Sequence, residues 1–477
     1  MAYIQFLGAA GTVTGSKHLI NTCVPTGGKP CYQALIDCGL FQGQREWRER
    51  NWQDTPIPAR EIDAVILTHA HIDHSGWIPR LVKEGFRGPI YATPSTIDLC
   101  AILLPDAGHL QEEDAAYYNK KKKSRHDPAL PLYTREEAES CLQYFRPLQF
   151  GVTQQLSPEI SFRFVVAAHI LGSAMAEVTL RSGGTVRRLL FSGDIGRVRN
   201  KHETPGKVVQ PGPVTGESAD LLVMESTYGN RQHPTDDPRP RLAEVIRRTV
   251  ERGGSVVTPA FAVERTQKFL FMLKELMESG QIPRLPVYCD SPMAIKAVQI
   301  FLKHTEEYSD ETVRLVRQYG SPLEWEGFIF ASTVQESKKI NENRYPCIII
   351  SSSGMVTGGR ILHHLAQRLP DARNTILFIG FQAPGTRGAI IKSGAPEVKI
   401  FGDMVPIRAG IAAFEQFSDH ADTPELLQWL RTFSGKPAVT YLVHGEAAAA
   451  AQLRESISRE LGWDVRVAQW MEMVEAG

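Results

Sequence analysis

The sequence predicts a mixed chain, part α+β and part α/β, with more than one domain, and three observations carry that expectation. Its 477 residues are enough for two or three domains, each with a core of its own. Four short apolar runs end abruptly in reactive side chains, as buried strands do when a sheet presents a site at one edge. Between about residues 229 and 411 the rhythm changes to strands alternating with helices. That alternation implies a separate α/β domain with a mostly parallel sheet covered on both faces.

Taken in order, the chain opens on Met1-Ala-Tyr-Ile-Gln-Phe-Leu-Gly, which reads as a first strand and lacks the basic start of a signal peptide. Run 62–67 leads into Thr68-His69, run 188–191 into Ser192-Gly193-Asp194, run 221–224 into Glu225-Ser226-Thr227, and run 439–443 into His444-Gly445. Inside the α/β block, strand 255–258 precedes helix 264–279, and strand 286–289 precedes helix 293–304. Strand 346–351 passes through a glycine-rich loop into helix 361–369. The Pro-rich segments 205–218 and 232–240 are candidate linkers, and 105–131 reads as a loop longer than a compact core needs.

Composition narrows the function classes. Hydrophobic residues make up 42% and charged residues 22%, the balance of a soluble globular protein. Lys+Arg and Asp+Glu both number 53, so no global basic field exists and any nucleic-acid contact must be local. No apolar stretch approaches the ~18 residues that span a bilayer. The seven cysteines (Cys23, Cys31, Cys38, Cys100, Cys141, Cys289, Cys347) are odd in number and lack a C-x-x-C pair. Neither a disulfide framework nor a cysteine metal site is expected, and a reducing cytoplasm is the simplest home.

The densest chemistry is His69-Ala-His71-Ile-Asp73-His74, directly after a strand. Neutral imidazoles and a carboxylate suit zinc, and an open turn lets the four side chains converge. One turn cannot complete two tetrahedral sites, so further donors are needed. His169 and Asp194 follow strands, and His444 follows another near the C-terminus. The expected arrangement places His69, His71 and His169 on one metal and Asp73, His74 and His444 on a second. Asp194 bridges them, because a carboxylate can span two cations and an imidazole cannot. Two metals ~3.5–4 Å apart would activate a water and clamp the oxygens of a displacement at phosphorus. Asp37, at the end of run 35–36, is expected to orient a ligand histidine; a turn-capping role is the plain alternative.

These residues resemble a known family. Asp37, His69-x-His71-x-Asp73-His74, His169 and Asp194 are similar to the four ordered motifs of metallo-β-lactamase-fold hydrolases. Glu225 ending a strand, His420 in Phe417-Ser-Asp-His-Ala-Asp422, and His444 before Gly445-Glu446 resemble the β-CASP nuclease branch. The likeness is nearest to the endonuclease of the cleavage and polyadenylation machinery and its bacterial and archaeal relatives. It implies an αββα metallo-β-lactamase sandwich, residues 1–228 and 412–477, with an inserted α/β β-CASP domain at 229–411.

The activity implied is zinc-dependent hydrolysis of RNA phosphodiester bonds through a hydroxide activated by two Zn²⁺ ions. Endonucleolytic cleavage is the main expectation, with exonuclease action open. Catalytic roles fall to Asp73, Glu225 and His420, with His420 as general acid kept protonated by Glu225. Phosphate contacts are assigned to Ser352, Ser353 and Gly354 in the glycine-rich loop and to Arg265, Arg360 and Arg387. The Lys120 to Lys123 run reads either as an RNA-touching loop or, preferably, as a solvated helix end.

Three other readings stand beside it. A DNA-processing β-CASP nuclease is disfavoured by His444, where such members generally carry Val. A thioester or lactam hydrolase would need neither a second domain nor the Glu225–His420 pair. A catalytically inactive scaffold would be expected to have lost ligands, and all seven are present. RNA is the expected partner, no membrane association is expected, and a homodimer or protein partners in RNA processing stay open.

Overall fold

The computed structural model describes residues 2–22, 31–53, 55–121, 127–182, 184–197, 218–321, 323–380, 382 and 385–476. It divides into two compact units. Among the described residues, the first takes in those up to 197, 218–232 and 420–476, and the second 233–419. The later crossing lies at 419/420 rather than the expected 411/412. The reason is that strand Gly410–Ala413 pairs in parallel with Thr375–Phe378 and so belongs to the second unit's sheet. The candidate linker 205–218 falls almost wholly outside the described residues.

The first unit is built on two seven-stranded sheets. One runs in the order Met473–Glu475, Tyr3–Phe6, His18–Asn21, Gln33–Ile36, Ala64–Ile66, Ile90–Ala92, Phe145–Pro147. The other runs Val465–Val467, Val439–Val443, Leu221–Glu225, Thr185–Phe191, Ala174–Ser182, Ile160–Val166, Thr153–Ser157. Alternate residues of both meet in one buried cluster, with Ile4, Ile36 and Ile66 from the first sheet and Phe162, Phe164, Phe191 and Val223 from the second. The other face of the second sheet, through Leu222 and Met224, packs on Leu426 and Trp429 of helix Thr423–Leu430 and on Leu453 and Ile457 of helix Ala447–Leu461. In the first sheet Leu35 and Val65 point away from that central cluster and are still fully buried, so both of its faces are covered. The sheets bring strand ends 66, 166, 191 and 443, far apart in sequence, into one edge.

The second unit holds a six-stranded parallel sheet, ordered Phe328–Phe330, Val287–Cys289, Ile348–Ser351, Val256–Pro259, Thr375–Phe378, Gly410–Ala413. Its central strands are buried on both faces and therefore read as continuous apolar runs. Helices such as Arg265–Glu278 and Ile361–Arg368 alternate with them, as the rhythm of the sequence predicts.

Two expectations fail. Residues 105–121 are not loop but the continuation of a 28-residue helix, Pro94–Lys121, with Pro105 inside it. A mid-helix proline costs about 3 kcal/mol, but burial of Leu99, Leu104, Pro105 and Gly108 offsets it. A Cβ at Gly108 would meet Thr134 O at 2.7 Å, so the helix lies against that backbone. Lys120 and Lys121 accordingly sit exposed at a helix end, while Lys122 and Lys123 lie outside the described residues. The second failure concerns cysteine: Cys38, Cys100, Cys141, Cys289 and Cys347 are free and buried, but Cys31 is disulfide-bonded. Among the described residues no helix is long and apolar enough to cross a membrane.

Phe162 is 1% exposed between the two sheets. Phe162→Ala should therefore destabilise the first unit by about 3–5 kcal/mol, whereas Val186→Ala, at a side chain 55% exposed, should change it by less than about 0.5 kcal/mol. Urea unfolding followed by far-UV dichroism checks the contrast.

Candidate metal centre

Each ligand candidate is delivered by a strand that stops and turns sharply. Asp37 (φ 62°), Ala168 (φ 56°), Gly193 (φ 52°) and His444 (φ 47°) all occupy the left-handed region at or beside a strand end. Such backbone is costly for residues other than glycine and clusters at functional sites. Two glycines make the close approaches possible. A Cβ at Gly39 would lie 1.6 Å from Asp73 O, and one at Gly196 would lie 1.7 Å from Ala168 O.

The first set comprises His69 Nε2, His71 Nδ1, His169 Nε2 and Asp194 Oδ2. His71 Nδ1 lies 3.2 Å from His69 Nε2 and 3.3 Å from His169 Nε2. Asp194 Oδ2 lies 3.4 Å from His69 Nε2 and 3.5 Å from His169 Nε2. Ligand atoms about 2.0–2.1 Å from a tetrahedral zinc are about 3.3 Å from each other. The four atoms therefore have the spacing of a zinc shell. The second set pairs His74 Nε2 with His444 Nε2 at 3.2 Å and His444 Nε2 with Asp73 Oδ2 at 3.4 Å, while Asp194 Oδ1 lies 3.2 Å from His74 Nε2. Asp194 thus turns one oxygen to each set, as a bridging carboxylate must.

Oxygens behind the rings select which nitrogen is free. Asp37 accepts from Thr68 N–H (2.8 Å), Thr68 Oγ1–H (3.0 Å), Ser16 Oγ–H (3.3 Å) and His74 Nδ1–H (2.7 Å). With its own proton given to Asp37, Thr68 Oγ1 accepts from His69 Nδ1, 3.1 Å away. Thr227 Oγ1 donates to His444 O at 3.0 Å and lies 3.1 Å from His444 Nδ1. Each contact occupies Nδ1 and leaves the Nε2 lone pair facing the cluster. Sequence alone does not distinguish Thr68, Ser16 and Thr227, since a hydroxyl beside a strand end has no distinctive signal.

Charge divides the rings. Burial lowers the pKa of His69, reinforced by His74. Burial together with His69 pushes His71 down to about 3, and burial with His420 holds His169 well below the ordinary value. These three rings are neutral at pH 7, the form in which an imidazole can bind a cation. Burial also opposes charge on His74, but Asp194 and then Asp37 outweigh it and raise its pKa well above the ordinary value. Asp194 is held well below the usual carboxylate range, because His444 and His74 overcome the cost of its burial.

His420 stands at the edge of the first set. Its Nδ1 lies 3.1 Å from Glu225 Oε2 and its Nε2 lies 3.9 Å from Asp194 Oδ2. Glu225 is fully buried and also accepts from Ile195 N–H. Burial opposes a charge on His420, but Glu225 and Asp194 overcome it and lift the pKa to about 10. The ring sits edge-on to Tyr228, with centroids 5.7 Å apart.

Family models match the chain in three places: the metallo-β-lactamase superfamily at residues 32–95, the β-CASP domain at 266–391, and the Zn-dependent metallo-hydrolase RNA specificity domain at 404–468. The chain is 37% identical over 468 residues to ribonuclease TTHA0252 of Thermus thermophilus, covering 98% of each. The chain belongs to the β-CASP family of metallo-β-lactamase-fold hydrolases. It is also 32% identical over 481 residues to the transcription termination factor FttA of Methanosarcina mazei, covering 99% of this chain and 71% of that one. With FttA of Methanocaldococcus jannaschii the identity is 31% over 465 residues, covering 96% of this chain and 69% of that one.

As a β-CASP protein the chain is a metal-dependent hydrolase of nuclease type. Its expected phosphate contacts lie in the second unit, at the C-terminal end of the parallel sheet, and they divide. Ser353 Oγ bonds Thr357 Oγ1 (2.9 Å), Ser352 Oγ bonds Ser291 Oγ (2.9 Å), and Gly354 packs its open Cα face on the Phe261 ring. The arginines are turned to protein. Arg360 donates to buried Asp290 (2.7 Å) and to the carbonyls of Ala331 and Ser332. Arg387 donates to Lys399 O and Thr357 O. Arg265 lies over the Phe261 ring and 3.8 Å from Asp419. Asp290 is buried at the neighbouring strand end, and the Arg360 guanidinium offsets that carboxylate.

Removing Asp37 leaves every ligand in place but frees two rings to rotate. Asp37→Ala should weaken metal binding by about 10–100-fold, read by titration against a chromophoric chelator. pH separates the two sets. His74, charged in the metal-free protein, must lose a proton before Nε2 can bind a cation, whereas the first set needs no deprotonation at pH 7. Affinity of the second set should fall about tenfold per pH unit while the first set keeps its ion. Metal content after dialysis from pH 8 to pH 5 tests this, and simultaneous loss of both ions would contradict it.

Proposed function

We propose that this β-CASP protein is a zinc-dependent ribonuclease, mainly endonucleolytic, with exonuclease action from strand ends. The reading is carried by His420, whose Nε2 faces the ligand sets while Glu225 secures Nδ1. The two sets of donors have the chemistry and spacing that suit one Zn²⁺ each: His69, His71 and His169 for one, Asp73, His74 and His444 for the other, with Asp194 shared. When bound, such ions supply Lewis acidity, lowering the pKa of water and offsetting charge at phosphorus. The protein's own part is proton delivery and orientation. His420 holds a proton at Nε2 for the leaving 3′-oxygen, and Glu225 keeps the ring charged and aimed. Asp73, on the outer side of the second set and 22% exposed at its side chain, is placed to accept a proton from an incoming water. RNA as the substrate is supported by the relative named a ribonuclease and by the match to an RNA specificity domain. In the second unit, Ser352, Ser353 and Gly354 remain the best candidates for phosphate contacts. We place the protein in the cytoplasm, where RNA is processed.

A labelled-RNA assay tests the reading. The unaltered protein should cut 5′-labelled RNA in preference to matched single-stranded DNA, and His69→Ala should abolish cleavage. His420→Ala should slow cleavage by about 10²–10⁴-fold, the usual contribution of a general acid, with zinc content unchanged. Full activity in His420→Ala would remove it from the chemistry, and absence of zinc-dependent RNA cleavage would overturn the assignment.

A further inference from the structure

Apart from the ligand sets, the first unit carries a smaller pocket of about 200 Å³, lined by Lys17, Phe41, Arg50, Trp77, Trp470 and Met471. Lys17, just before strand His18–Asn21, lies between two residues that face the other way: Ser16 donates to Asp37, and His18 stacks near Phe191. Lys17 instead points into this pocket. Its side chain is 6% exposed, and its ammonium lies 3.9 Å from the centroid of the Trp77 ring. Among the described residues no carboxylate lies within ion-pair distance of it. Burial lowers the Lys17 pKa, with Cys38 and then Glu84 opposing it through space, and Glu84 is itself bound to Arg80 at 2.6 Å. Cys38, also beside it, is a thiol that burial pushes up to about 12 and so carries no charge.

A buried ammonium that lies over an aromatic ring with no carboxylate in ion-pair reach is incompletely compensated, and an anion entering the pocket would complete it. The rest of the wall suits a flat ring. The Arg50 guanidinium lies 4.0 Å from the Trp470 centroid and 4.3 Å from that of Trp47, and Trp47 stacks on Phe41 at 6.4 Å. Trp470 is 43% exposed, with its ring Nε1–H held by Leu7 O. Here a second cation and a half-open indole stand at the mouth, with the buried ammonium at the base.

We propose that this pocket binds an anionic group carried on a planar ring: a nucleoside monophosphate, or the terminal nucleotide of a strand. The phosphate sits at Lys17 Nζ and Arg50, and the base lies on Trp470. The pocket contains no metal ligand, so the proposal stands or falls separately from the ribonuclease reading.

Tryptophans in and around the pocket make intrinsic fluorescence the readout. Adenosine 5′-monophosphate titrated into the full-length protein, with or without chelator, should quench saturably, and adenosine and inorganic phosphate should each bind at least about tenfold more weakly. Lys17→Met should weaken nucleotide binding by at least about tenfold, and Trp470→Ala by about 5–100-fold. Should Lys17→Met fail to fold, Arg50→Ala and Trp470→Ala at the exposed mouth decide the matter. Nucleotide affinity unchanged in the variants, or adenosine binding as tightly as its monophosphate, would overturn the proposal. Competition by a 5′-phosphorylated oligonucleotide would assign the pocket to strand ends; failure to compete would assign it to the free nucleotide.

Discussion

A carboxylate buried among histidine rings persists in ionised form only while positive charge or donated protons surround it. Asp194 is held in that situation, 2% exposed, with one oxygen toward His69 and His169 and the other toward His74. Asp194 itself follows strand Thr185–Phe191; its partners come from beyond the ends of strands Ala64–Ile66 and Ile160–Val166, and His444 joins them from Val439–Val443. No short segment could assemble such a set. The two sheets must stay in fixed relation, which is the task of the apolar layer between them: loss of a ring such as Phe162 acts on the site through the distance between strand ends.

Convergence of this kind asks the backbone to do unusual things. Asp37, Ala168 and His444 accept left-handed conformations that their neighbours in the strands never visit. Gly39 and Gly196 admit carbonyl oxygens where any side chain would collide. Hydrogen bonds then convert the placement into chemistry. Asp37 alone gathers four donors from three places in the chain, and through Thr68 it reaches a second ligand ring. Ring nitrogens left facing inward are thereby chosen by residues that never touch the cluster centre.

The second unit follows a different logic. Its strands are apolar on both faces, and its polar chemistry is confined to the strand ends, where Asp290 takes hydrogen bonds from Ser337 (2.5 Å), His364 (2.6 Å) and Arg360 (2.7 Å). His364 Nδ1 in turn meets Asn341, which also receives Arg368. This buried network ties helix Ile361–Arg368 to the loops around Ser351. It explains why a guanidinium that looks available in the sequence is occupied in the fold, since an isolated Asp290 would be far more costly than an engaged Arg360.

What the sequence determined by itself was local. Apolar runs of strand length, the abrupt polar residues after them and the strand–helix rhythm of the interior block are set by near neighbours, and they hold to within a few residues. The His69 to His74 cluster was legible for the same reason: its donors crowd one turn, and chemistry limits what such a turn can be for. Tertiary structure decided the rest. Pro105 continues a helix because distant surfaces bury it, Gly410–Ala413 joins the second unit because a strand there awaits a parallel partner, and the roles of Thr68, Thr227 and Arg360 depend on which groups lie opposite. A residue's neighbours in sequence set its backbone preference. Its partners across the fold set its charge, its free lone pair and its availability, and those are what a metal site is made of.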